Sequence, residues 1–197
     1  MDKPVQTVTW TKMEDGTEAD YVQLNAAARE HTQGALVDNL LAMLGKLRGP
    51  LLGYQVDRHQ HSLQSATRAY RADESDDLIV GALLHDVGDV FAPENHSEAA
   101  AALLAPYVDD RTEWIVRHHG LFQGYYYFHH FDGDRHAREA YSTSPHYDAC
   151  VAFCAEYDQN CFDPAYDTMA IDEFDPLLRE VFSRPSRRPG IPGPAWN

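Results

Sequence analysis

His61, the pair His85-Asp86, His96, the pair His118-His119 and Asp158 place imidazoles and carboxylates at intervals along about half of the chain. The pair His85-Asp86 lies in Ala82-Leu83-Leu84-His85-Asp86-Val87-Gly88, an apolar run with no structural need for either residue. Burying an imidazole or a carboxylate there is costly unless it is paired or bound to a metal ion. Two adjacent ligands on one buried helix, with further histidines before and after, suggest a site for more than one metal. Imidazole with carboxylate suits iron, zinc, manganese or nickel, and ligand softness does not choose among them. A carboxylate between two metals can bridge them, and Asp86 is the best placed to do so. The competing explanation, surface histidines that fall near apolar runs by chance, serves for any single residue but poorly for the ordered set.

The elements that position these residues are expected to be helices. Residues 17–47 carry two amphipathic stretches, the second with Leu40, Leu41, Leu44 and Leu47 at helical spacing. A Gly49-Pro50 break follows. Helices are then expected over 57–71, 76–87, 94–105, 109–118, 135–142, 146–160 and 173–183. Asp76-Asp77 and Glu94-Asn95 look like starts, Gly88 and Gly120 like stops. No alternating strand pattern exceeds five residues. The expected fold is all-α, a helical bundle with each ligand on a different helix around a dimetal core. One domain over 1–184, with an N-terminal helical extension, is expected to be followed by an extended tail over 185–197.

The chain has 197 residues, enough for one domain with a substantial core. A net charge of -15 argues against non-specific nucleic-acid binding, which needs a basic surface. It does not exclude a small anionic substrate, because bound metal ions outweigh distant surface carboxylates. No apolar stretch reaches membrane-spanning length and the first residues lack a signal-peptide pattern, so a cytoplasmic protein is expected. Cys150, Cys154 and Cys161 are too few and too clustered for a disulfide framework and are expected to be buried free thiols.

The ordered set His…His-Asp…His…His…Asp resembles the HD-domain superfamily of all-helical metal enzymes over residues 55–160. His61-Ser62-Leu63-Gln64, with the His85-Asp86 run, is similar to the branch of mixed-valent diiron oxygenases that cleave carbon–phosphorus bonds. Gln123-Gly124-Tyr125-Tyr126-Tyr127-Phe128-His129-His130 and Asp158-Gln159-Asn160-Cys161-Phe162-Asp163-Pro164 look like the members that oxidise 1-hydroxy-2-(trimethylammonio)ethylphosphonate to glycine betaine and phosphate. The resemblance implies two irons, Fe(II) and Fe(III), with dioxygen as co-substrate and a small organophosphonate as substrate. It gives His61, His85, Asp86 and Asp158 to one iron, and His96 and His118 to the other with Asp86 bridging. The register from Ile115 points to His118 as the primary ligand and leaves His119 as an extra ligand or a substrate contact, with a catalytic role shared with Asp86. One residue of slip exchanges the two. A metal-dependent phosphohydrolase acting on nucleotides or phosphodiesters is the alternative activity, and a domain that only binds or regulates is a third.

The chain departs from relatives that act on a primary amine. Asp89 stands where they have a histidine, Phe122-Gln123 where they have a lysine, and Leu51 where they have a tyrosine, with Tyr54 nearest. Tyr125 and Tyr126, in a run of aromatics, could cage a quaternary ammonium, with Asp89 as counter-charge. The same residues could instead be core rings and a helix cap. Gln123 and Tyr54 join them as candidate substrate contacts. Arg135 could clamp a phosphonate, or pair with Asp132 or Asp134.

Overall fold

The computed structural model describes residues 7–187. Among the described residues there are seven α-helices and no strand: α1 (Glu18–Gly45), α2 (Arg58–Arg71), α3 (Asp76–Leu84), α4 (His96–Leu104), α5 (Asp110–Gln123), α6 (Tyr147–Phe153) and α7 (Ile171–Ser183). Short 3-10 turns link them, and a π-helical turn over Cys154–Asp158 extends α6. Most of the expected tail, 188–197, lies outside the described residues. No helix among the described residues is long and apolar enough to cross a membrane.

The starts are chemical. Thr17, Asp57, Ser75 and Asp109 each cap a helix by accepting a hydrogen bond from the N–H three residues on, which satisfies donors that have no partner inside the helix. Helix α3 is apolar all round, and every residue from Leu78 to Leu84 is buried. A helix of that kind belongs at the centre. It packs between α2, α5 and α7, while α4 and α6 both lie against α5. The amphipathic α7 covers the core with Phe174, Leu178 and Val181 and also packs on α1.

Two expectations need correction. Residues 18–45 form one helix rather than two. Gly34 meets nothing at the position of an added Cβ, and an isolated glycine costs only about 1 kcal/mol relative to alanine, too little to stop a long helix. Core contact begins at Val37, with Leu40, Leu44 and Leu47 buried behind it. Gly120 does not stop α5, which runs on to Gln123. A Cβ there would lie 2.8 Å from Ser97 Oγ and 3.7 Å from His96 Nε2. Gly120 is therefore the notch that lets α4 approach α5. Gly88 does the same from the other side, since its Cβ would stand 2.7 Å from His96 Cα.

The two glycines set the position of His96. Gly88→Ala should push the start of α4 away, destabilise the fold by about 1–3 kcal/mol, and cut the metal bound per chain. Denaturant unfolding with metal analysis checks this. An unchanged metal content and midpoint would show that His96 does not depend on that close approach.

Candidate metal centre

Three local devices aim the ligands inward. Adjacent residues on a helix point in different directions, so His85 and Asp86 can face one centre only if the helix ends between them. It does: α3 stops at Leu84, His85 is still helical, and Asp86 sits at φ −98°, ψ 2°, the sparsely populated bridge region. The π turn is the second device. It brings both Cys154 and Asp158 to the buried side of the chain, and such turns recur at functional sites. The third is the buried face of α5. Thr112, Ile115, Val116, His119 and Phe122 recur at helical spacing and are all buried.

That spacing brings His119, rather than His118, to the cluster. His118 is off the face. Its ring stacks on Trp114 at 4.1 Å, and its Nδ1 donates to the Trp114 carbonyl at 2.8 Å. His119 is 1% exposed and its Nε2 lies 3.4 Å from Asp86 Oδ1. The signal was present in the sequence: counting from Thr112 through Ile115 to Phe122 places 119, not 118, on the inner stripe.

Four imidazoles and two carboxylates converge. His61 Nε2 and His85 Nε2 are 3.2 Å apart. Asp86 Oδ2 lies 3.5 Å and 3.4 Å from them, and Asp158 Oδ1 3.3 Å and 3.9 Å. On the other side, Asp86 Oδ1 lies 3.6 Å from His96 Nε2 and 3.4 Å from that of His119. Three overlapping groups could each hold an ion: His61, His85 and Asp86; His85, His119 and Asp158; Asp86, His96 and His119. Asp86 is common to the first and the third, one oxygen to each.

The protonation of the rings fits a metal site. Each Nδ1 faces a backbone carbonyl: Cys161 for His61, Ala82 for His85, Pro93 for His96 and Val116 for His119. A carbonyl only accepts, so these nitrogens carry the proton and each Nε2 presents a lone pair to the centre. Orienting a ligand histidine through its other ring nitrogen is how metal sites are built. Two lone pairs facing each other at 3.2 Å repel unless a cation or a proton stands between them. Asp158 Oδ2 is buried with no hydrogen-bond partner, and an orphan carboxylate oxygen is untenable in a dry interior. The donor set thus fits two divalent or trivalent ions.

Without an ion, the two carboxylates instead favour a proton on the inner nitrogens of two of these rings. Burial acts to raise the Asp86 carboxyl, but His85, His119, Arg58 and His61 together hold it well below the usual carboxylate range. Burial acts to lower His61 and His119, yet the bond to Asp158 and the Asp86 charge raise the first, and the bond to Asp86 raises the second. Burial dominates at His85 and brings it down to about 4.

The surroundings assign the remaining expected residues. Gln123 donates to Asp158 Oδ1 at 2.7 Å and so positions a carboxylate. Asp89 pairs with Arg58 at 2.8 Å and with His96 Nδ1 at 3.3 Å, so its charge is already engaged. Tyr54 is half exposed and stacks on Phe162 at 4.8 Å, which stacks on His61 at 4.6 Å. Tyr126 packs on the core and meets Tyr125 edge to face. Tyr125 offers no open face toward the centre, since Arg135 and Arg138 lie 4.2 Å and 3.9 Å from its ring centroid. Neither expected pairing of Arg135 with Asp132 or Asp134 forms.

Arg58 was missed. It bonds Asp86 Oδ2 at 2.9 Å while bridging to Asp89. It is the guanidinium at the centre, and its place three residues before His61, one turn away on α2, was the available signal. The thiols of Cys154 and Cys161 are pushed up by burial, the second to about 12, and all three cysteines are buried and free, as expected.

The HD domain family model matches residues 58–160, more than half of the chain, and the protein belongs to the HD-domain family. HD domains are typically metal-dependent enzymes, and the His/Asp cluster stands inside the matched segment. A search of the curated proteins gives no match.

His118→Ala should leave metal content intact and cost about 0.5–1.5 kcal/mol through its lost ring contacts. His119→Ala should lose the ion shared with His96. Metal analysis of the two purified variants decides between them, and the opposite pattern would reverse the assignment.

Proposed function

We propose that this protein is a diiron oxygenase that cleaves the carbon–phosphorus bond of a hydroxyphosphonate bearing a quaternary ammonium. A substrate such as 1-hydroxy-2-(trimethylammonio)ethylphosphonate would give glycine betaine and phosphate. The observation that carries the reading is the division of Asp86, with Oδ2 toward His61 and His85 and Oδ1 toward His96 and His119. It supports a pair of ions sharing a carboxylate, as the resemblance of the flanking segments implies. The reaction balances with no further oxidant: the hydroxyphosphonate dianion and O2 yield a carboxylate, hydrogenphosphate and one proton.

Two bound irons would supply the redox chemistry and polarise the substrate hydroxyl. The chain supplies the rest. His61, His85 and Asp158 hold one side, His96 and His119 the other, and Gln123 and Arg58 keep the carboxylates from turning away. Phe162 is covered on both sides by Tyr54 and His61, so the cation end of the substrate meets the open face of Tyr54, with the partly exposed Tyr127 as a second ring. Faces of that kind attract ammonium groups when water is excluded. Tyr125 and Tyr126 leave this role to Tyr54 and Tyr127.

The same ligand set could activate water for phosphoester hydrolysis, so dioxygen is the discriminating reagent. Iron-loaded protein with the trimethylammonio substrate should consume oxygen and release phosphate in equal amounts, and zinc-loaded protein should do neither. Oxygen-independent phosphate release from nucleotides would replace the oxygenase with a hydrolase.

Preference for the trimethylammonio compound over its primary-amine analogue should be on the order of a hundredfold, two ring contacts at about 0.5–2 kcal/mol each. Tyr54→Ala and Tyr127→Ala should each erode that ratio without removing metal. Competition between the two compounds measures it, and a ratio near one in the unaltered protein would rule out the aromatic edge as the selector.

A further inference from the structure

Arg135 and Arg138 are placed unlike the arginines that serve ion pairs. Arg58, Arg71, Arg111, Arg117, Arg179 and Arg184 each reach a carboxylate. Arg135 and Arg138 form no ion pair and donate no side-chain hydrogen bond among the described residues. Both instead lie over one ring, their guanidinium carbons 4.2 Å and 3.9 Å from the Tyr125 centroid. Arg135 Nε and Arg138 Nη1 are buried with no acceptor.

Bringing two full positive charges to one ring is repulsive. Ring stacking returns only part of that cost, and a buried donor without an acceptor adds to it. The acidic groups nearest in sequence are committed elsewhere: Asp134 accepts from the His136 N–H, and Glu139 pairs with His136. Tyr125 is itself fixed, edge to face against Tyr126 and against His136. In a chain of net charge -15, two arginines without a carboxylate are an arrangement that waits for an anion from outside. Both side chains are half-buried, so each keeps part of its surface open to a ligand. Paired guanidinium forks match the oxygens of a tetrahedral dianion.

We propose that Arg135 and Arg138, held against Tyr125, form a second site that binds a phosphoryl or phosphonyl oxyanion. It is separate from the metal ligands, none of which touches Tyr125, Arg135 or Arg138 by a hydrogen bond, ion pair or ring contact among the described residues. The site stands on the two arginines alone and does not depend on the metal chemistry. Its ligand is a free phosphate or the phosphonate end of a small molecule.

The test is calorimetric titration of the full, metal-loaded chain with inorganic phosphate and with methylphosphonate, repeated on Arg135→Gln/Arg138→Gln. The unaltered chain should show a binding event that the double variant lacks, weakened at least about tenfold by each single change, the scale of a lost charge-assisted hydrogen bond. The two affinities tell which oxyanion the site takes. Chloride at the same ionic strength should not compete. Arg135→Lys/Arg138→Lys keeps the charge but not the forks, and should bind between the other two. Nitrogen NMR of the guanidinium Nε groups in the unaltered chain needs no variant, and both signals should move on adding phosphate. No binding, binding unchanged in the double Gln variant, or binding that vanishes when the metal is chelated would each overturn the site.

Discussion

Asp86 and Asp158 are the charges on which the rest of the structure depends. Both are buried, and an isolated ionised carboxylate in a dry interior is strongly disfavoured. Their partners are four imidazoles whose protons already point outward to backbone carbonyls. That leaves lone pairs facing anionic oxygens, a set that a bound cation or an added proton must stabilise. The helices are arranged to bring these groups together. The end of α3 at Leu84, the π turn before Asp158 and the glycine notches at Gly88 and Gly120 all act on the same few ångströms.

The division of labour around Asp86 follows from its geometry. Its two oxygens face different histidine pairs, while Arg58 holds one of them from the solvent side. A monodentate ligand would leave the second pair without a carboxylate. Asp89 extends the arrangement by joining Arg58 to His96, so its charge is shared between two side chains of the cluster. This is the outer layer that orients ligands in metal proteins, built here from one arginine and one aspartate.

The aromatic residues sort into three environments that composition alone does not separate. Trp114, His118 and Tyr141 pack against one another on the outer side of α5 and touch Phe122 at the edge of its buried stripe. Tyr54 and Phe162 line up with His61 at the centre. Tyr125 carries two guanidiniums. Each ring is equally able to pack, to attract a cation or to support an arginine. The neighbour decides which.

Much of this was legible in the sequence because it is local. Helix periodicity, capping residues and the apolar run around His85-Asp86 gave the all-α class, and the spacing of His61, His85, Asp86, His96 and Asp158 marked residues that do converge. The inner stripe of α5 was also encoded, although reading it from Ile115 alone chose His118 over His119. What the sequence could not determine is non-local. Gly120 reads as a helix stop until Ser97 is found against it, and Asp89 reads as a free counter-charge until Arg58, far back in the chain, is found beside it. Arg135 reads as a surface ion pair until Tyr125 is found beneath it. Local propensity is written in neighbouring residues, whereas which side chain meets a given charge or ring is settled only when distant helices pack.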